Sequence, residues 1–330
     1  MPRQSLVGFA AICGHERVRE YLRAAAKDGR LPHAQLFAGP DGVGKRSVAL
    51  ALAGWLLCDE QGDDACGRCS SCHQVAAGSH PDFRMVAVAP GKKETGVARV
   101  RDVKRFVQLR PVRGKAKVVI LDDAQMLTVA AQNALLKTLE EPPVRSLLIL
   151  VANNPGALLP TVRSRCQRIQ FSPLHEEAVV EILTQRLHLD AAVARRVAAL
   201  ADGSPGRALI LSRCCGGRSP GELLPQLAGL DGARYARLME LSGELGHPEE
   251  DVAVKLEMLL GQYRDDALRS IEAGQLGRGD AAVSWLTTRP ALRSIVRCTD
   301  AVHNAASAIR HSNPNRQLLL EALLLRLARS

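Results

Sequence analysis

Aromatic side chains are scarce in this chain: 330 residues hold five Phe, three Tyr and two Trp. Ala and Leu supply most of the 46% apolar content, which favours helices over sheets. So few aromatics leave little to stack bases on, which weighs against a single-strand-binding module. No run of 18 apolar residues occurs, so no membrane-spanning helix is expected. The short apolar stretch from Leu6 to Cys13 contains Gly8 and runs on without a cleavage site, so a secretory leader is not expected either. Nine cysteines, an odd number without an export signal, indicate thiols and metal rather than disulfides. The expectation is a cytoplasmic protein.

Two further absences are local. Gly39-Pro-Asp-Gly42-Val-Gly44-Lys45 fits the glycine-rich phosphate loop, in which backbone N–H groups curl round phosphate oxygens and the lysine reaches the outer phosphates. The next residue is Arg46, where a working loop has the Ser or Thr that holds Mg²⁺. Likewise Val118-Val-Ile-Leu-Asp122-Asp123 is an apolar strand delivering two acids. Asp122 is placed to hold a hydrated Mg²⁺, but the second acid is Asp123 where hydrolysing proteins have the longer Glu. Both departures argue against Mg²⁺-dependent hydrolysis and leave phosphate binding intact. A glycine turn without a ligand and acids that merely cap a strand end are the competing readings.

What the chain does have begins with charge. Lys and Arg exceed Asp and Glu by ten overall, and the excess lies entirely in residues 1–173, with 25 against 15. A basic half invites phosphate, DNA or an acidic partner; a solvated basic surface would have the same composition. Thirteen residues after Lys45 comes Cys58, followed by Cys66, Cys69 and Cys72. Four thiolates at this spacing favour a closed tetrahedral zinc site, structural rather than catalytic. An iron–sulfur cluster or buried free thiols are the alternatives. Gly67 allows the turn between ligands, and Asp63-Asp64 are expected to keep the segment solvated.

Periodicity predicts a helix over 15–28 with Val18, Tyr21, Leu22 and Ala25 on one face. Strands are predicted at 35–38, 83–88, 117–122 and 146–152, and helices at 47–57, 97–109 and 130–141, the last stopped by Pro142-Pro143. The alternation makes a parallel α/β sheet. Beyond Pro173 the pattern is helical, broken at Gly203-Ser-Pro-Gly206 and at glycine clusters further on. The expected domains are 1–173, an α/β nucleotide-binding core with a zinc module at 58–72; 174–214, a small helical domain; and 215–330, a larger all-α domain.

Taken together, Leu31-Pro-His-Ala34, the phosphate loop, the four cysteines, Gln132-Asn-Ala-Leu-Leu-Lys-Thr-Leu-Glu-Glu-Pro-Pro143 and Ser164-Arg165-Cys166 resemble the bacterial clamp loader family of the AAA+ superfamily. The resemblance covers about residues 5–215, with looser likeness beyond. It implies an AAA+ core, a three-helix lid and an oligomerising collar. Because Arg46 and Asp123 depart from the hydrolysing gamma/tau pattern, it implies a subunit with the ATPase fold but without the full catalytic set. Such a subunit of the DNA polymerase III clamp loader sits with gamma/tau and delta subunits in a pentamer that opens a sliding clamp and loads it on primer–template DNA. Arg165 would be an arginine finger acting in trans on a neighbour's ATP. Asn153, or equally Asn154, would take the sensor position after a strand, and Arg207 would be the lid's sensor arginine. The cofactors implied are structural zinc and ATP bound without efficient hydrolysis, with Mg²⁺ disfavoured. An ATP-hydrolysing gamma-type subunit is the alternative; a zinc-dependent DNA-binding module and a different AAA+ motor are more distant ones.

Overall fold

The computed structural model describes residues 8–214 except 61, 90, 91, 93 and 114, together with 297, 299–305, 319, 322 and 323. The chain divides into two compact units, residues 1–182 with 203–206, and residues 183–202 with 207–330.

The first unit is built on five parallel strands: β1 (Ala34–Ala38), β2 (Phe83–Val86), β3 (Lys117–Leu121), β4 (Ser146–Ala152) and β5 (Gln167–Gln170). Their order across the sheet is β2-β3-β4-β1-β5, with Leu36 opposite Leu150 and Ile120 opposite Ile149. Every residue of β1, β3 and β4 is buried, as strands covered on both faces require. Because successive side chains point to opposite faces, the strands feed two cores. Phe37, Val118, Ile120, Ile149 and Val151 pack on one side, while Leu36, Val119, Leu121, Leu148 and Leu150 pack on the other.

Helices α1 (Glu16–Lys27) and α2 (Lys45–Leu56) cover the first face. In α2 the run Val48, Ala49, Ala51, Leu52 and Ala53 is fully buried, so an Ala-rich helix serves as one wall of the core. After α3 (Ser70–Ala77), helices α4 (Val97–Gln108) and α5 (Val129–Glu140) cover the second face. A short helix α6 (Pro160–Arg163) leads into β5. In α1 the predicted apolar face is only partly used: Leu22 is fully buried, but Tyr21 is 44% exposed.

Helices α7 (Glu176–Leu187), α8 (Ala191–Leu200) and α9 (Pro205–Cys214) occupy the segment expected to be a three-helix domain. Asp190 caps α8 by accepting the Ala192 N–H at 2.8 Å. Apart from scattered helical positions between 297 and 323, the expected domain at 215–330 lies outside the described residues. Among the described residues no helix is long and apolar enough to cross a membrane.

Candidate nucleotide-type site and cysteine centre

The phosphate loop joins β1 to α2, so the first turn of α2 opens directly onto it. Gly42 and Gly44 have φ of +69° and +109°, a region that side chains other than glycine's rarely adopt. Lys45 is 4% exposed. Its ammonium donates to Gly39 O at 2.8 Å and to Pro40 O. Burial pushes its pKa below the usual lysine value, opposed by Asp41, Asp122 and Asp123. The outer side of the loop is held by the Gly203–Gly206 turn, where Ser204 Oγ donates to Asp41 O at 2.9 Å and the Gly206 N–H to Gly42 O at 2.9 Å. A Cβ at Gly206 would stand 2.7 Å from Gly42 Cα, so only glycine permits that approach.

Arg46, on the first turn of α2, forms an ion pair with Asp122 at the end of β3, Nη1 to Oδ2, 3.2 Å. The Asp122 side chain is 10% exposed and that of Arg46 50%. Burial raises the Asp122 pKa, and Arg46 is the first of the charges that oppose the rise. Asp123 lies in the left-handed region, φ +50°, and its Oδ1 accepts from Gln125 Nε2 at 3.0 Å. Gln125 Oε1 in turn accepts the Asn153 N–H at 3.1 Å, and Asn153 Nδ2 donates to Asp41 Oδ1 at 3.2 Å. The two asparagines after β4 are therefore distinct: Asn153 reaches the phosphate loop, while Asn154 accepts the Gly156 N–H and caps its own turn.

Arg165 follows α6 and precedes β5, an edge strand of the sheet. Its Nη2 is 2.7 Å from Glu140 Oε1, and its Nη1 donates to Thr161 O at 2.9 Å. The side chain stays 36% exposed. Arg207, in the first turn of α9, pairs with Asp202 at 2.9 Å; both belong to the second unit.

Several positioning groups were invisible as isolated letters. His15, beneath the loop, donates from Nε2 to Val43 O at 2.8 Å and packs edge-on against Phe171. The buried side chain of Gln132 donates to Leu127 O and accepts the Leu159 N–H at 2.7 Å. It thus fixes the start of the helix that ends beside Arg165. His33, from the Leu-Pro-His-Ala segment, donates to Leu139 O at 2.9 Å and ties the start of β1 to the end of α5.

Cys58, Cys66, Cys69 and Cys72 bring their sulfurs within 4.8 Å of one another. Pairs at 3.9 and 4.0 Å match the edge of a ZnS₄ tetrahedron, about 3.8 Å for a Zn–S bond of about 2.3 Å, and are far too long for disulfides. Backbone N–H groups of Cys66, Cys69 and Cys72 donate to the sulfurs of Cys58, Cys66 and Cys69 at 3.4–3.5 Å, as charged thiolates favour. The backbone N–H of Arg68 leads in drawing the Cys66 thiol down to about 7, while burial raises that of Cys72. The four residues fit a tetrahedral soft-metal ion such as zinc.

This module is not merely solvated by its acids. Asp63 is, at 92% side-chain exposure. Asp64 instead accepts the N–H groups of Phe9 and Ala10 at 2.9 and 2.7 Å and pairs with Arg23 at 3.0 Å. On its other side, Asp59 accepts from Ser71 Oγ at 2.7 Å, and Ser71 lies 3.3 Å from His80 Nε2. His80 Nδ1 accepts the Asp82 N–H at 3.0 Å, so Nε2 carries the proton. Asp82 is fully buried, pairs with Lys117 at 3.1 Å and takes the N–H groups of Val112 and Arg113, each at 2.7 Å. A polar chain thus runs from the cysteine module into the sheet.

A family described as "DNA polymerase III, delta subunit" matches residues 14–175. DNA polymerase III subunit delta' of Escherichia coli strain K12 is 33% identical over 316 residues, 93% of this chain and 92% of that protein. DNA polymerase III subunit tau of Bacillus subtilis strain 168 is 34% identical over 62% of this chain and 37% of its own length. Among solved structures, a DNA polymerase III gamma subunit-related protein from Thermotoga maritima superposes with a TM-score of 0.51 at 17% identity, covering 94% of this chain and 98% of that one; this likeness is one of fold.

Proposed function

The chain belongs to the DNA polymerase III delta' subunit family, and from that premise we propose that it is a non-hydrolysing subunit of the clamp loader. In this reading it assembles with gamma/tau and delta subunits into a pentamer that opens the sliding clamp and sets it on primer–template DNA. Residues 1–173 are the AAA+ core, 174–214 the lid and 215–330 the collar that gathers the subunits. The cysteine module holds structural zinc.

The observation that carries the reading is the placement of Arg165. It stands partly exposed just after α6, before an edge strand, with its guanidinium braced by Glu140 and Thr161 O. A braced but accessible guanidinium suits donation across an interface, where it stabilises charge developing on a transferred phosphoryl group. ATP bound in the neighbour supplies that group. Within this chain, Arg46 and Asp123 stand where turnover needs a hydroxyl and a longer acid. The chain's own residues hold and brace rather than hydrolyse: Lys45 faces the outer phosphates, Asn153 links the loop to the strand end, and Arg207 serves as the lid's sensor arginine.

Reconstitution tests this. Gamma-type and delta-type subunits with clamp and primed DNA are expected to load clamps only when this chain is added, while the chain alone turns over no ATP. Robust turnover by the isolated chain contradicts the proposal and favours a gamma-type ATPase.

A further inference from the structure

The ion pair between Arg46 and Asp122 occupies the ground on which a nucleotide site of this fold works with its metal. In such sites the cation is held between the hydroxyl after the loop lysine and the acid ending the second strand. Here the first position offers a guanidinium, which has no lone pair for a metal and does not lose its proton. The second position, Asp122, is nearly buried and has that guanidinium 3.2 Å from its Oδ2. The other acids near the loop are also engaged: Asp123 Oδ1 by Gln125 and Asp41 Oδ1 by Asn153 and its neighbouring Gly42 N–H. A divalent ion entering here would meet a fixed positive charge and would have to strip Asp122 of its partner. The residues present do not fit Mg²⁺.

The phosphate loop, by contrast, keeps its shape. Gly42 and Gly44 have left-handed φ, and Lys45 closes the loop with its ammonium donating to Gly39 O and Pro40 O. Arg46 is half-exposed, with planar donors of the kind that pair with phosphate oxygens.

We propose that Arg46 replaces the divalent cation, pairing with Asp122 on one side and with the oxygens of a nucleoside polyphosphate on the other, so that nucleotide binds this chain without metal. The inference rests on the nucleotide-fold reading above and makes the chain's own pocket a holding site rather than a reaction site.

Equilibrium dialysis of labelled ATP against the full chain, once in EDTA and once in excess Mg²⁺, tests it. The expected result is saturable binding with affinities within about twofold of each other in the two buffers. Arg46→Lys should keep that indifference. Arg46→Ser should bind ATP at least tenfold more tightly with Mg²⁺ than in EDTA. Wild-type affinity rising tenfold or more with Mg²⁺ overturns the proposal, as does the absence of saturable binding in EDTA. If Arg46→Ser fails to fold, the wild-type pair of measurements still decides. The outcome is separable from the clamp-loading proposal, because clamp loading by the reconstituted assembly is scored independently of whether this chain binds ATP.

Discussion

Arg165 and Glu140 meet at 2.7 Å although they are 25 positions apart in the chain, because the helix that ends in Glu140 and the short helix before Arg165 are locked together by Gln132. The acid lies at the end of the Gln132–Pro143 segment and the arginine in Ser-Arg-Cys, so two of the sequence's most specific motifs converge on one ion pair. The proposed function assigns this pair orientation of the arginine rather than stability. Exposed pairs of this kind contribute about 0.2–1 kcal/mol.

Removing the brace should therefore separate the two effects. Glu140→Gln is expected to leave urea unfolding within about 1 kcal/mol of wild type while lowering ATP turnover of the reconstituted assembly. Glu140→Asp, which keeps the charge, should recover part of it. Equal turnover in all three proteins would remove Glu140 from any positioning role.

Asp64 ties the cysteine module to the start of the core by three bonds. Asp64→Ala leaves two backbone N–H groups and Arg23 without that acceptor, a loss of about 1–3 kcal/mol measurable in urea unfolding. Asp63→Ala, at a carboxylate whose pair with Lys27 lies on the surface, serves as the control and should change little.

Metal removal should act on the same module. One equivalent of zinc is expected to be released when the thiols are titrated with a mercurial, with a fall in melting temperature that added zinc reverses. Cys72→Ser, at a buried ligand, should abolish that stoichiometry. Retention of full metal by the variant would argue against the four-cysteine centre.

His15 gives a pH dependence with a definite sign. Burial holds its imidazole below the usual 6.5, with Lys45 and Arg19 acting in the same direction and Glu16 and the bond to Val43 O opposing. A depressed folded-state value means that the unfolded chain takes up the proton first. Stability is thus full above about 6.5 and declines as the pH falls through that value toward the folded pKa. His15→Gln, which can still donate to Val43 O, should flatten this acid limb of the melting-temperature profile.

Much of this architecture could be read from the sequence, and the exceptions have physical reasons. The strands predicted at 35–38, 117–122 and 146–152 announce themselves because burial on both faces demands continuous apolar runs. Strand β5, Gln167-Arg-Ile-Gln170, does not stand out in the sequence, because an edge strand with one buried residue has no such run. Helix α3 was masked by its cysteines. The phosphate loop and the cysteines carry fixed spacings, so their candidate residues can be named from the sequence. His15, Gln125 and Gln132 cannot, because a single polar residue reveals its partner only when the chain folds. The ion pair of Arg46 with Asp122 lies between these cases: the sequence showed a charge where a hydroxyl was expected, and only the structure shows the acid it meets.

ATP turnover by the reconstituted assembly, with clamp and primed DNA, tests the central claim most directly when wild-type chain is compared with Arg165→Ala. The account predicts an inert isolated chain, an Arg165→Ala variant that still assembles, and a loss on the order of 10³-fold at the one neighbouring site that the arginine serves, read as slower total turnover and clamp loading. Unchanged turnover in an intact assembly, or hydrolysis by the isolated chain that Arg165→Ala leaves untouched, would contradict it.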